Sequence, residues 1–227
     1  DNHQSDDSQT GIIKEETQNG QTGGSSDGSQ NSESSDGAGK SGGSSGTGSS
    51  SRSASGGLRV SGTTLTDASG NAVQLRGVST HGLAWFPEYV HKEAFETLRA
   101  DWGANVVRLA MYTEEYGGYC NGGDKEGLKQ LVDDGVSYAT ELGMYVIIDW
   151  HILSDGNPNR NKEEAKAFFS EMADKYAGHN NVIYEICNAP PNSDWNGQLK
   201  PYAEAVISCI RQYASSALLL VGTHPCS

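Results

Sequence analysis

No Gly-x-Gly-x-x-Gly or Gly-x-x-x-x-Gly-Lys element follows any apolar run in this chain of 227 residues. That removes the main sequence support for a nucleotide-binding open sheet. No His-Glu-x-x-His and no Gly-x-Ser-x-Gly occurs, so the zinc-protease and nucleophile-elbow signatures are missing too. The four cysteines, Cys120, Cys187, Cys209 and Cys226, lack Cys-x-x-Cys spacing. Cys187 and Cys209 read as small buried hydrophobes. No apolar run reaches 18 residues, so no membrane-spanning helix is expected, and no signal peptide is visible. Basic residues are scarce: 16 Lys and Arg stand against 29 Asp and Glu, a formal charge of −13. With no Lys/Arg cluster either, a nucleic-acid partner is not expected.

Large apolar residues are nearly absent from residues 1–57, where Ile12 and Ile13 are the exception and Gly/Ser runs such as Ser41–Ser51 dominate. Such a segment cannot bury enough surface to offset the entropy of ordering it. It reads as a disordered linker, with two open meanings: a tether to another module or a cell surface, or a spacer without a role. It holds eight acids and three bases, so residues 58–227 carry −8 of the total. That charge suits a solvated surface and a neutral ligand.

Residues 58–227 form the folding part. Leu58–Val60 and Thr64–Thr66, with Gly62 between, predict a small hairpin, and Asp67–Asn71 a turn. Short β-rich runs then alternate with amphipathic helices. The runs are Val73–Val78, Asn105–Met111, Met144–Asp149, Val182–Ile186 and Leu218–Val221. Helices are predicted over Glu93–Trp102 (Phe95, Leu98 and Trp102 on the apolar face), Lys125–Leu142 and Asn161–Tyr176, and a fourth opens at Pro201. Gly103 and Gly143 act as stops. Strand starts spaced as βα units imply a parallel sheet, either an open doubly wound fold or a barrel.

Polar and aromatic residues gather at the ends of the runs: His81 and Trp85 after the first, Arg108 within and Tyr112 after the second, Trp150-His151 after the third, and Asn188-Ala189 after the fourth. In a parallel barrel these positions share the C-terminal face, where such folds keep their sites. Trp85 and Tyr112 can stack on the apolar face of a sugar ring, and His81, His151 and Asn188 can bond its hydroxyls; core packing is the other reading of Trp85. Arg108 and Glu185 each sit in an apolar strand, and a buried charge needs a partner. They can serve each other or other structural partners. Ser154–Asn159 resembles the start of a calcium loop, but the residue twelve along from Asp155 is Lys166, so that reading fails. No metal or cofactor is expected.

Four stretches carry a specific resemblance: Leu75–Trp85, Val107–Tyr112, Val146–His151 and Val182–Asn188. Together they resemble glycoside hydrolase family 5, the cellulase family, from about Leu58 to Thr223. The resemblance implies a (β/α)₈ TIM barrel and retaining hydrolysis of β-1,4-glucosidic bonds in cellulose or related β-glucans by two glutamates. It assigns Asn188, Arg108 and His151 to the catalytic centre, and His81, Trp85 and Tyr112 to sugar binding. Arg108 would bond the nucleophile, and Asn188 the sugar 2-hydroxyl. It further implies a β-glucan polysaccharide or oligosaccharide as partner; a Gly/Ser linker ahead of such a domain suggests a secreted protein, and another module on that linker stays one of its two open meanings.

The departures are equally specific. Where the family has the acid/base Glu of Asn-Glu-Pro, this sequence has Ala189, whose methyl cannot hold a proton. The family draws its nucleophile Glu from a seventh strand, and five such runs occur here. The fold expected is therefore an α/β barrel truncated after about five strands, with residues 58–227 as a partial catalytic domain. Hydrolysis is expected at background level, and the alternative reading is a non-catalytic glucan-binding or vestigial fragment. Arg108 is expected to lack its carboxylate, and the open sheet edges to make the chain poorly soluble unless another chain pairs with them.

Overall fold

The computed structural model describes residues 56–188 and 193–223. The Gly/Ser segment up to residue 55, Ala189 and Cys226 lie outside the described residues.

A two-stranded antiparallel hairpin opens the described chain, β1 (Arg59–Ser61) and β2 (Thr64–Thr66). Gly62, with φ of 62°, makes its turn. Five parallel strands follow: β3 (Gly77–Gly82), β4 (Val106–Tyr112), β5 (Tyr145–His151), β6 (Val182–Glu185) and β7 (Leu219–Leu220). They lie side by side in chain order. Between them run α1 (Lys92–Ala100), α2 (Lys125–Glu141), α3 (Lys162–Lys175) and α4 (Lys200–Arg211). Sequential order with a helix in each crossover after β3 is how the wall of a (β/α) barrel is wound.

Side chains alternate across this wall. Val107, Leu109, Met111, Val146, Ile148, Trp150, Val182, Tyr184 and Ile186 face the helices and join the larger core. Leu128, Val132, Gly135, Val136 and Ala139 give α2 its buried stripe, and Ala165, Phe168, Phe169, Met172 and Ala173 do so for α3. Trp150 is fully buried against Phe168, with ring centroids 5.3 Å apart. A Cβ on Gly135 would meet Leu109 at 2.7 Å, so glycine there lets α2 lie close on β4.

The opposite face changes character along its length. At its N-terminal end Val106, Tyr145 and Ile183 pack with Leu58 from the hairpin, and Leu65, Val73, Leu75, Ile147, Leu218 and Leu220 gather round them. The hairpin thus floors the wall. Higher on the same face stand Arg108, Tyr112, Asp149, His151 and Glu185, charged or polar at alternate positions of three adjacent strands.

Several sequence expectations shift. The first long strand runs Gly77–Gly82, not Val73–Val78. Residues 73–76 are held elsewhere: Val73 N–H donates to Leu65 O at 2.8 Å, and the Asn105 side chain clamps Arg76 N–H and Gln74 O. β5 continues through Trp150 and His151, which the sequence reading puts after the strand. α1 stops at Ala100, and Trp102 is 74% exposed instead of packing under it. Cys187 is buried as expected, but Cys209 is only half-buried. Among the described residues no helix is long and apolar enough to cross a membrane.

Candidate active site

The site is set by register. Arg108 pairs in the sheet with Ile147, Ala110 with Asp149, Asp149 with Glu185, and Tyr112 with His151. One wall therefore carries an arginine, two carboxylates above it, and a tyrosine–histidine pair at the rim.

Arg108 reaches across β5 to β6. Its Nε donates to Glu185 Oε2 at 2.7 Å and its Nη2 to Glu185 Oε1 at 2.9 Å, a bidentate pair. Nη2 also lies 2.9 Å from Asp149 Oδ2 and donates to Asn188 Oδ1 at 3.1 Å. Nη1 donates to Ser79 Oγ at 3.2 Å. The expectation that Arg108 lacks its carboxylate is thus wrong; it holds two, because alternate positions on neighbouring strands bring Asp149 and Glu185 within its reach. The mutual service of Arg108 and Glu185 is present as read from the sequence.

Asp149 is fully buried. Desolvation pushes its carboxyl up to about 6, and the neighbouring Glu185 adds to this, while the hydrogen bond to His151 and the Arg108 charge oppose it. Its Oδ2 sits 2.6 Å from His151 Nδ1. Asn188 is held by its backbone N–H to Trp150 O at 3.2 Å and by its amide to Ile152 O at 3.3 Å.

At the rim an aromatic cluster forms. The His81 and Trp85 rings stack with centroids 5.6 Å apart, and Tyr112 meets Trp85 edge-on at 5.3 Å and His151 at 5.1 Å. His81 Nδ1 accepts from Gly82 N–H at 2.9 Å and lies 3.2 Å from the Tyr112 hydroxyl. Trp85 Nε1 donates to Tyr116 O at 2.8 Å, which pins the ring while leaving it 45% exposed. Core packing therefore does not describe Trp85. Burial raises the Tyr112 phenol above its ordinary range, so it stays a neutral hydroxyl.

Gly82 is required by this packing. A Cβ there would lie 2.2 Å from Tyr112 Cδ2. Gly82→Ala is expected to push Tyr112 off His151 and Trp85 and to destabilise the fold by about 1–3 kcal/mol. Aromatic nuclear Overhauser contacts and thermal melting check it; unchanged Tyr112–His151 contacts would contradict it.

Arg108, Asn188 and His151 thus stand in one bonded group, and His81, Trp85 and Tyr112 in an aromatic group that touches it through His151. Asp149 and Ser79 belong to this constellation and were not singled out from the sequence. The signal for Asp149 was an acid closing the apolar run Val146-Ile-Ile, two positions from His151. The failed calcium-loop start has another use: Asp155 accepts from Thr113 Oγ1 at 2.6 Å and from the Asn161 amide at 3.0 Å, tying two loops together.

A parallel βα wall with charged and aromatic groups at its strand ends defines a protein of the TIM-barrel class. Residues 66–225 match the family described as Cellulase (glycosyl hydrolase family 5). The chain belongs to that family. It is 52% identical over 172 residues to endoglucanase A of Butyrivibrio fibrisolvens, covering 74% of this chain and 39% of that protein. It is 48% identical over 174 residues to an endoglucanase of Clostridium saccharobutylicum, covering 75% and 38%. The catalytic domain of Thermobifida fusca endoglucanase Cel5A, solved in complex with cellotetraose, superposes with a TM-score of 0.70 at 42% identity, covering 74% of this chain and 54% of that one. The chain thus spans less than two fifths of those two endoglucanases and about half of that solved domain.

Proposed function

We propose that this chain contributes to hydrolysis of β-1,4-glucosidic bonds in cellulose or related β-glucans by the retaining route, as part of an endo-β-1,4-glucanase. The observation that carries the reading is the joined pair of groups on one wall, the charged set Arg108, Asn188 and His151 beside the aromatic set His81, Trp85 and Tyr112. Endoglucanase relatives at about half identity support it.

Each residue has a chemical role on this reading. Trp85 offers an exposed face to a sugar ring, and Tyr112 and His81 line the same subsite. Asn188, oriented by Arg108, bonds a sugar hydroxyl. Arg108 has a second Nη1 hydrogen without a partner among the described residues, which suits a further carboxylate, the nucleophile of the family's seventh strand. Position 189 is where the proton donor belongs, and alanine there removes proton transfer to the leaving sugar. Ala189 favours a second reading, glucan binding without cleavage, for the chain as it stands. We also read residues 1–57 as a linker to another module, and the protein as secreted, on the Gly/Ser composition and the polysaccharide substrate.

Titration calorimetry with cellotetraose tests the common core of both readings. Saturable binding is expected, weakened about tenfold by Trp85→Ala, which corresponds to about 1.4 kcal/mol. No measurable heat, or an unchanged affinity in the variant, would sink the sugar-binding site.

A further inference from the structure

Asp149 touches no solvent, and the chemistry proposed above gives it no direct part. Its carboxylate nevertheless meets a rim residue. We propose that Asp149 is a positioning residue that holds His151 as the Nδ1–H tautomer, so that the ring offers Nε2 to a ligand hydroxyl as an acceptor; the ligand part rests on the sugar-binding reading above.

Three observations carry it. First, Asp149 Oδ2 lies 2.6 Å from His151 Nδ1. An ionised carboxylate only accepts, so Nδ1 must be the donor, and a neutral imidazole then has a bare Nε2. Second, the carboxylate cannot easily turn away. The same Oδ2 lies 2.9 Å from Arg108 Nη2, and Arg108 is itself held by Glu185, Asn188 and Ser79. Third, Nε2 bonds no described residue, and the ring is kept in orientation by Tyr112, 5.1 Å away between centroids. A buried carboxylate that fixes a histidine's tautomer through its inner nitrogen leaves the outer nitrogen for function.

The titratable groups around Asp149 are Arg108 and Tyr112 from β4, His151 on its own strand, Glu185 from β6, Cys187 just beyond it and Tyr202 from α4; His81 meets Tyr112 from β3. Desolvation and Glu185 favour the protonated carboxyl, Arg108 and His151 the ionised one. The ionised carboxylate, the state that accepts from Nδ1–H, therefore belongs to pH above about 6.

The test is long-range proton–nitrogen correlation on the whole chain with labelled histidine at pH 8. The chain has six histidines, so His151→Phe assigns the relevant signals. The wild type is expected to show Nδ1 protonated and Nε2 bare at position 151. Asp149→Asn should keep that tautomer, since its amide oxygen still accepts from Nδ1–H. Asp149→Ala should move the tautomer ratio toward Nε2–H by roughly tenfold or more, the worth of a hydrogen bond to a charged group. Should the alanine variant unfold, Asp149→Leu fills the same space and still removes the acceptor. A wild-type His151 protonated at Nε2, or a ratio unmoved in a folded Ala or Leu variant, overturns the positioning role. Cellotetraose is then added to the wild type and should shift the Nε2 resonance. If the tautomer is as stated and Nε2 does not move, the sugar-binding reading falls while the role of Asp149 toward His151 stands.

Discussion

Arg108→Met is expected to destabilise the chain by about 3–5 kcal/mol at pH 7, the scale for removing one partner of a buried ion pair. Two carboxylates lean on this one guanidinium, Glu185 at 2.7 Å and Asp149 at 2.9 Å. Asp149 is fully buried and Glu185 only slightly exposed, and the two are direct neighbours across β5 and β6. Without Arg108 they are like charges in a dry wall. A methionine of similar length fills the space but leaves them uncompensated.

The loss should depend on pH in a stated direction. Asp149 is raised from 3.8 to about 6 in the folded chain, chiefly by desolvation. Between roughly pH 4 and 6 the folded state therefore holds a proton that the unfolded chain has released, and this group's contribution to stability falls as pH rises through that window. Removing Arg108 removes the main charge opposing protonation, so the carboxyl is raised further. The variant should then recover part of its deficit on acidification to pH 5. Urea unfolding of both proteins at pH 5 and pH 7 measures it. A deficit under about 1 kcal/mol at pH 7, or one that grows at pH 5, would contradict the account.

The second large effect concerns turnover. Hydrolysis of soluble cellulose derivatives by this chain is expected at the level of a no-protein control. On the proposed assignment, position 189 carries the general acid, and its absence lowers the rate by about 10²–10⁴. Ala189→Glu within the 227 residues should not raise it, because the retaining route also needs the nucleophile of the seventh strand. The same substitution in a chimera that completes the barrel with the C-terminal strands of a family relative should raise turnover by about 10²–10⁴. Reducing-sugar assays on homogeneous protein decide this. Release well above control from the unmodified chain would defeat the assignment of position 189.

How much of this was legible in the sequence follows from what each signal depends on. β4, β5 and β6 were readable because both faces at their lower ends are apolar, giving continuous runs such as Met144-Tyr-Val-Ile-Ile. β3 was misplaced because Val73 and Leu75 are apolar for another reason: they pack on the hairpin floor. Trp102 was misread because hydrophobic spacing continues past Ala100 while the helix does not. The rim residues were legible as a set, since each follows a run. The partners of Arg108 needed register, which decides that Asp149 and Glu185 stand level and within its reach. Burial, not residue type, makes Asp149 unusual, and no spacing rule reports burial.

The floor made by the hairpin has a consequence for how a polymer could approach. Leu58 and Leu65 close the lower end of the inner face against Val106, Tyr145 and Ile183. That end of the face is therefore filled by side chains, and the strand ends are left as its open side. On the proposed function, a glucan must lie crosswise over the strand ends, entering from one side and leaving by the other. Neither chain end has to be found first, so a long polymer can be engaged anywhere along its length.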